Sequence, residues 1–145
     1  MHLPLALHRH PRPGGVDRDE ELRFRLIART VRIRNRTRQT VVCERCRVAE
    51  NIVTRGVGLL LTRSLPTGSG LLLTRTNAIT MLFMRYAIDV AFLDAAGTVL
   101  ALAPRLRAWV PARAALRARD TLELPVGALA ASGTQVGDEL SIEEA

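Results

Sequence analysis

Three small groups of residues in this chain carry side chains able to do chemistry. Arg85 and Asp89 lie four apart within the segment FMRYAIDVAFLD, residues 83–94. An aspartate between Ile88 and Val90 is expected to be partly buried, and at the mouth of a cleft it would bind a ligand or exchange a proton. On a straight strand the two charges share a face but stand about 13 Å apart at ~3.3 Å per residue, so pairing needs a bend near Tyr86 and Ala87. A structural ion pair with other partners is the plainer alternative. Thr76, Thr80 and Tyr86 are the expected neighbours of Asp89. Trp109, with Val110 and Pro111 after it, would lie over such a pocket as an apolar lid or pack at the core or its rim.

Cys43 and Cys46 form a lone CxxC motif. On a strand, residues three apart face opposite sides unless a turn intervenes, and one CxxC supplies only half of the thiolates a zinc site wants. Packed thiols, a redox pair and a metal site shared with a second chain are the three readings. The third group is the ladder Arg32, Arg34, Arg36 and Arg38, which could follow a nucleic-acid backbone. Binding to single strands also wants aromatic stacking, and only Phe24 of the five aromatic residues lies near the ladder, which favours a solvated strand face.

Other chemistries are excluded by residue type. All three histidines (His2, His8, His10) fall in the first ten positions, so a Ser-His-Asp or Cys-His site in the folded part would need that segment to dock. The sequence has no lysine, which removes Schiff-base chemistry and the phosphate-loop lysine. No metal site and no cofactor is expected.

The elements that must position these groups follow from patterning. The 145 residues fit one domain, and 48% hydrophobic with 24% charged is a globular composition; no apolar run approaches the ~18 residues of a membrane span. Residues 1–21, with Pro4, Pro11, Pro13, Gly14 and Gly15, read as a flexible tail that matches a secretory signal poorly, so a cytoplasmic protein is expected. The formal charge of +7 sits in the first third: residues 1–47 hold 12 Arg against 5 acids, and residues 48–145 hold nine of each.

From Arg29 onward, Val31 and Ile33 alternate with arginines, which predicts a strand, with a turn around residues 35–37 and a second strand after it. Residues 48–63 suggest a short, weak helix, residues 64–70 a loop, and LLLTRT (71–76) the start of a buried strand. AIDVAFLD and TVLALA flank residues 94–97, where Gly97 can take the positive φ that closes a hairpin. TLELP (121–125) reads as a strand, VGALAASG (126–133) as a helical turn ending at Gly133, and DELSI (138–142) as a final strand. The echo between GVGLLLTR (56–63) and GSGLLLTR (68–75) is too short for a solenoid, whose repeats run ~20–50 residues.

From about Arg29 to Ile142 the sequence resembles the bacterial and archaeal domain of unknown function 192. The resemblance is carried by residues 58–73, FMRYAIDVAFLDAAGTVLAL (83–102), LELPVGALAASG (122–133) and VGDELSI (136–142), in that order. It implies a compact, mainly β, partly barrel-like antiparallel domain with one or two short helices over residues 29–143, in agreement with the patterning. The branch most like this sequence usually carries a cysteine and a histidine just before Phe-Met-Arg. Thr76 and Thr80 stand there in this chain, so a metal, redox or acid-base role of that pair does not carry over, and the family brings no established activity.

The combined expectation is a noncatalytic binding or accessory module recognising a small ligand or a protein partner near the Asp89 segment. A small carboxylate-based enzyme using Asp89 or Asp120 is one alternative. An arginine-driven nucleic-acid binder through residues 29–47 is the other.

Overall fold

A computed structural model describes residues 29–50, 59 and 62–144. The alternating start of the chain forms β1 (Arg29–Asn35) and β2 (Thr40–Ala49), paired antiparallel across a turn at residues 36–39. β3 (Ser69–Leu73) pairs parallel to β2, the one parallel partnership in an otherwise antiparallel sheet. A parallel neighbour demands a long crossover, here residues 50–68. Most of the helix expected at 48–63 lies outside the described residues, and its first two positions, Val48 and Ala49, end β2.

β5 (Ile88–Leu93) and β6 (Val99–Leu106) form the expected hairpin, β8 (Asp120–Leu124) lies between β5 and β3, and β9 (Leu140–Glu144) pairs with β1. The seven strands run in the order β6-β5-β8-β3-β2-β1-β9. A separate two-stranded ribbon joins β4 (Ala78–Ile79) to β7 (Arg113–Ala114), which the patterning did not resolve because two-residue strands have no period. The short helix α1 (Ala128–Ser132) ends on Gly133 in the left-handed conformation, as its sequence suggested. Among the described residues, no helix is long and apolar enough to cross a membrane.

The sheet curls into a half-barrel, and its two edge strands meet at one end. Thr98 bridges Glu139, the Leu140 N–H donates to the Gly97 carbonyl at 2.9 Å, and the Gly137 N–H donates to the Val99 carbonyl at 2.8 Å. Gly97 makes this approach feasible: its φ is +87°, and a Cβ there would sit 2.3 Å from the Leu140 carbonyl oxygen.

Both faces of the central strands are buried, which is why every residue of β5 is inaccessible. One face, with Val31, Ile33, Leu72, Leu93, Leu122 and Leu124, packs on Leu129 of α1. The other, with Leu71, Leu73, Val90 and Phe92, packs with Met81, Met84 and Ile79 from the ribbon and its loop and with Leu106 from the end of β6. The second layer is the one that carries the exposed features described next.

Candidate recognition site

The ribbon ends in two facing loops whose backbones lock together around Met81. The Met81 N–H donates to the Val110 carbonyl at 2.9 Å, and the Trp109 N–H donates to the Met81 carbonyl at 2.7 Å. Met81 and Met84 are both buried, and a Met84 N–H bond to the Met81 carbonyl closes the turn between them. A turn anchored at both ends pushes its middle outward: Leu82 is 37% exposed and Phe83 66% exposed. Opposite them Trp109 is 57% exposed, its ring 5.1 Å from that of Phe83 at a tilt of 59°.

Phe83 and Trp109 also share an uncommon backbone, with φ of 66° and 72°. Left-handed backbone is costly for bulky residues, and such strain persists only where surrounding bonds over-determine it. The bonds to Met81 supply that constraint. The outcome is an apolar aromatic tip held rigidly in water, contributing little to the core.

The segments that carry this tip are rich in arginine. The two segments that pack together to form the ribbon and its loops, residues 75–88 and 104–119, hold seven arginines and no acid. The remainder of residues 48–145 holds only Arg55 and Arg63 beside all nine acids. Of the seven arginines, Arg75 and Arg119 share a depression with Glu50 and Asp120, while Arg85 and Arg107 are the two that flank the tip in sequence. Arg85 and Arg107, each two positions from a ring of the pair, are exposed, as is Arg113 on β7, and among the described residues none of the three is ion-paired.

Asp89, the carboxylate singled out by sequence, faces the opposite layer and is only 2% exposed. Its Oδ1 accepts the Arg105 N–H at 2.9 Å, and its Oδ2 accepts the N–H groups of Gly127 and Leu129, both at 3.1 Å. Gly127, the N-cap of α1, has no side chain to cap the helix; Asp89 caps it from β5. The third bond gathers in the bulge where Pro104 and Arg105 interrupt the β5–β6 register. Arg85 lies before β5 rather than on it, so the two charges do not meet.

The other expected neighbours of Asp89 scatter. Tyr86 Oη lies 2.5 Å from Thr62 Oγ1, the Thr76 hydroxyl donates to the Thr74 carbonyl at 3.0 Å, and Thr80 Oγ1 accepts the Leu82 N–H at 3.1 Å. Thr80 therefore shapes the protruding turn. Asp120 accepts the Arg75 N–H at 3.1 Å and lines an open depression of about 630 Å³ with Glu50, Thr74, Arg75, Ala95 and Arg119.

These are properties of a recognisable fold. The family model described as DUF192, Uncharacterized ACR, matches residues 31–142. The chain belongs to the DUF192 family. Among solved structures it is similar to a protein of unknown function from Novosphingobium aromaticivorans DSM 12444, at 19% identity over 77% of this chain and 83% of that one, TM-score 0.67. It is also similar to a protein from Sinorhizobium meliloti 1021 described as a "putative transcription regulator", at 20% identity over 78% of this chain and 92% of that one, TM-score 0.68. No curated protein matches.

Within this DUF192 fold the arginine ladder is divided. Arg32 pairs with Glu44 at 3.2 Å and Glu143 at 3.9 Å, and Arg38 pairs with Asp138 at 3.0 Å. Asp138 also accepts from buried Asn35 and from the Gln135 N–H; Arg38 foremost, then Asn35 and Gln135, holds its carboxyl down at about 2. Arg34 and Arg36 share an open pocket with Glu139 and Glu143. The ladder presents mixed charge, unlike the ribbon.

The CxxC motif resolves through a bulge. Val31 pairs with Cys46 and Ile33 with Cys43, so β2 spends one residue more than β1 over that stretch, and both thiols turn into the same apolar layer. Cys43 and Cys46 are free and buried. The Cys43 thiol donates to the Gly68 carbonyl at 3.6 Å and the Cys46 thiol to the Arg47 carbonyl at 3.7 Å; the neighbouring thiol lowers the pKa of Cys43 and raises that of Cys46, with burial adding to the rise at Cys46. Among the described residues, no group of three or more His, Cys, Asp or Glu side chains could hold a metal ion.

One buried group escaped the sequence reading altogether. Glu123 on β8 is 6% exposed, stands opposite Leu71 on one side and Val90 on the other, and among the described residues has no hydrogen-bonding or charged partner. Burial alone pushes its carboxyl up to about 7. A glutamate inside TLELP was a visible anomaly, since strand alternation there places it on the face of a core strand.

Proposed function

We propose that this protein is a noncatalytic binding module whose recognition surface is the Phe83–Trp109 tip. The carrying observation is the pair itself: two large rings, exposed and in contact, each held in a left-handed backbone that core packing does not require. Rigid aromatic side chains supply contact area at low entropic cost, which is why such residues dominate binding hot spots. The site stays within the segment expected from sequence, residues 83–94, but moves from its carboxylate to its first residue. In this reading Asp89 is a structural cap, and Arg85 and Trp109 belong to the binding surface.

A carboxylate enzyme built on Asp89 is disfavoured because both oxygens are occupied by backbone donors. The two readings separate by substitution. Binding to a panel of single-stranded oligonucleotide, anionic vesicles and an acidic peptide is measured for Phe83→Ser and Asp89→Asn. Phe83→Ser should abolish binding with stability unchanged, whereas Asp89→Asn should lower stability and leave the affinity of the folded fraction intact. Binding that survives Phe83→Ser and is lost in folded Asp89→Asn would overturn the proposal.

A further inference from the structure

Resting on that reading of the tip, the geometry points to one class of partner: the headgroup layer of an anionic lipid bilayer. Leu82, Phe83 and Trp109 project from two locked loops, and the segments that carry them hold arginines without a single acid. Aromatic and aliphatic side chains partition into the bilayer interface, where tryptophan is enriched, and a basic rim is attracted to anionic headgroups. Arg85, Arg107 and Arg113 provide that rim, exposed and, among the described residues, without an ion pair. Arg85 and Arg107, each two positions from a ring, let both terms act together.

Other occupants fit less well. A single nucleic-acid strand stacks its bases on open ring faces, but the 59° tilt leaves no flat ledge, and Leu82 offers nothing to stack on. A second copy of the chain would meet the same unpaired arginines, and three exposed side chains fall well short of the roughly 800 Å² per partner of a stable interface. A bilayer requires neither a ledge nor a large footprint.

Trp109 is the sole tryptophan, so its emission reports the contact directly. The full chain is mixed with vesicles of phosphatidylcholine alone and with equimolar phosphatidylcholine and phosphatidylglycerol, and followed by emission and co-sedimentation. Anionic vesicles should blue-shift the emission and carry the protein down, zwitterionic ones should do neither, and added salt should weaken binding. Phe83→Ser, and separately Arg85→Glu with Arg107→Glu, should each lower the bound-to-free ratio by about tenfold or more, while Arg36→Glu leaves it unchanged. Circular dichroism and thermal unfolding verify that each variant is folded.

Failure to bind anionic vesicles, or binding indifferent to both tip variants, overturns the lipid assignment. If an oligonucleotide or acidic peptide shifts Trp109 instead, the lipid assignment fails and the tip remains the recognition surface. If nothing in the panel shifts it, both fall.

Discussion

Glu123 makes this domain's stability depend on pH in a direction opposite to that of most carboxylates. An ordinary glutamate titrates at 4.5, and burial raises Glu123 to about 7, with no partner among the described residues to compensate. Below the unfolded value both states hold the proton and no penalty exists. Between 4.5 and 7 the unfolded chain ionises while the folded one keeps its proton, so each rise in pH favours unfolding. The accumulated loss, at about 1.4 kcal/mol per pH unit over that window, is about 3 kcal/mol. Glu123→Gln keeps the shape and cannot ionise. Its advantage over the parent chain should be close to zero near pH 4 and grow to about 3 kcal/mol near pH 8. Urea unfolding followed by circular dichroism suits the purpose, because exposed Trp109 is a poor reporter of the core. Taking the difference between the two chains also cancels the titration of the three histidines. A difference that does not change with pH would refute the assignment of Glu123 as a neutral, buried acid.

Asp89→Ala strands three backbone N–H groups at the α1 cap and the β6 bulge, and should cost about 3–5 kcal/mol by chemical denaturation. Gly97→Ala forces a Cβ into the Leu140 carbonyl at positive φ and should cost at least about 2 kcal/mol, with faster hydrogen exchange at Gly137 and Leu140. Phe83→Gly and Trp109→Gly trade ring contact for relief of left-handed strain, so each should lie within about 1 kcal/mol of the parent chain in urea unfolding. Asp138, held at about 2, contributes stability above the ordinary aspartate range of 3.8 that disappears as pH falls towards 2; Asp138→Asn should remove that acid-side slope.

Periodicity made most of the sheet readable because it needs only alternation and turn residues. The β1–β2 pair, the Gly97 hairpin, the helical turn ending at Gly133 and the last strand all follow from such local signals. The parallel seating of β3 on β2 and the closure of β6 against β9 depend on contacts far apart in sequence, and no local pattern encodes them. The CxxC pair turned on a bulge, which shifts facing by one residue and cannot be read from spacing.

In the proposed reading, recognition stays in the segment that drew attention in the sequence but passes from Asp89 to Phe83. Asp89 stood out because its residue type can do chemistry, yet the nearest unsatisfied donors, the α1 N-terminus and the Arg105 N–H, consume it. Phe83 drew no separate reading from sequence, because nothing local marks an apolar residue as exposed. Only the anchoring of Met81 and Met84 on either side shows that it must point outward. The basic character of the two segments that carry the tip was hidden by an even count along the chain and emerged once β4 and β7 brought residues 75–88 and 104–119 together.

The recognition surface itself is tested most directly by the emission of Trp109 in the full chain, titrated with anionic vesicles, single-stranded oligonucleotide and acidic peptide in turn. At least one should shift the spectrum to the blue, in a manner lost in Phe83→Ser. A partner that binds the chain tightly while Trp109 emission stays fixed would place recognition elsewhere and contradict the account.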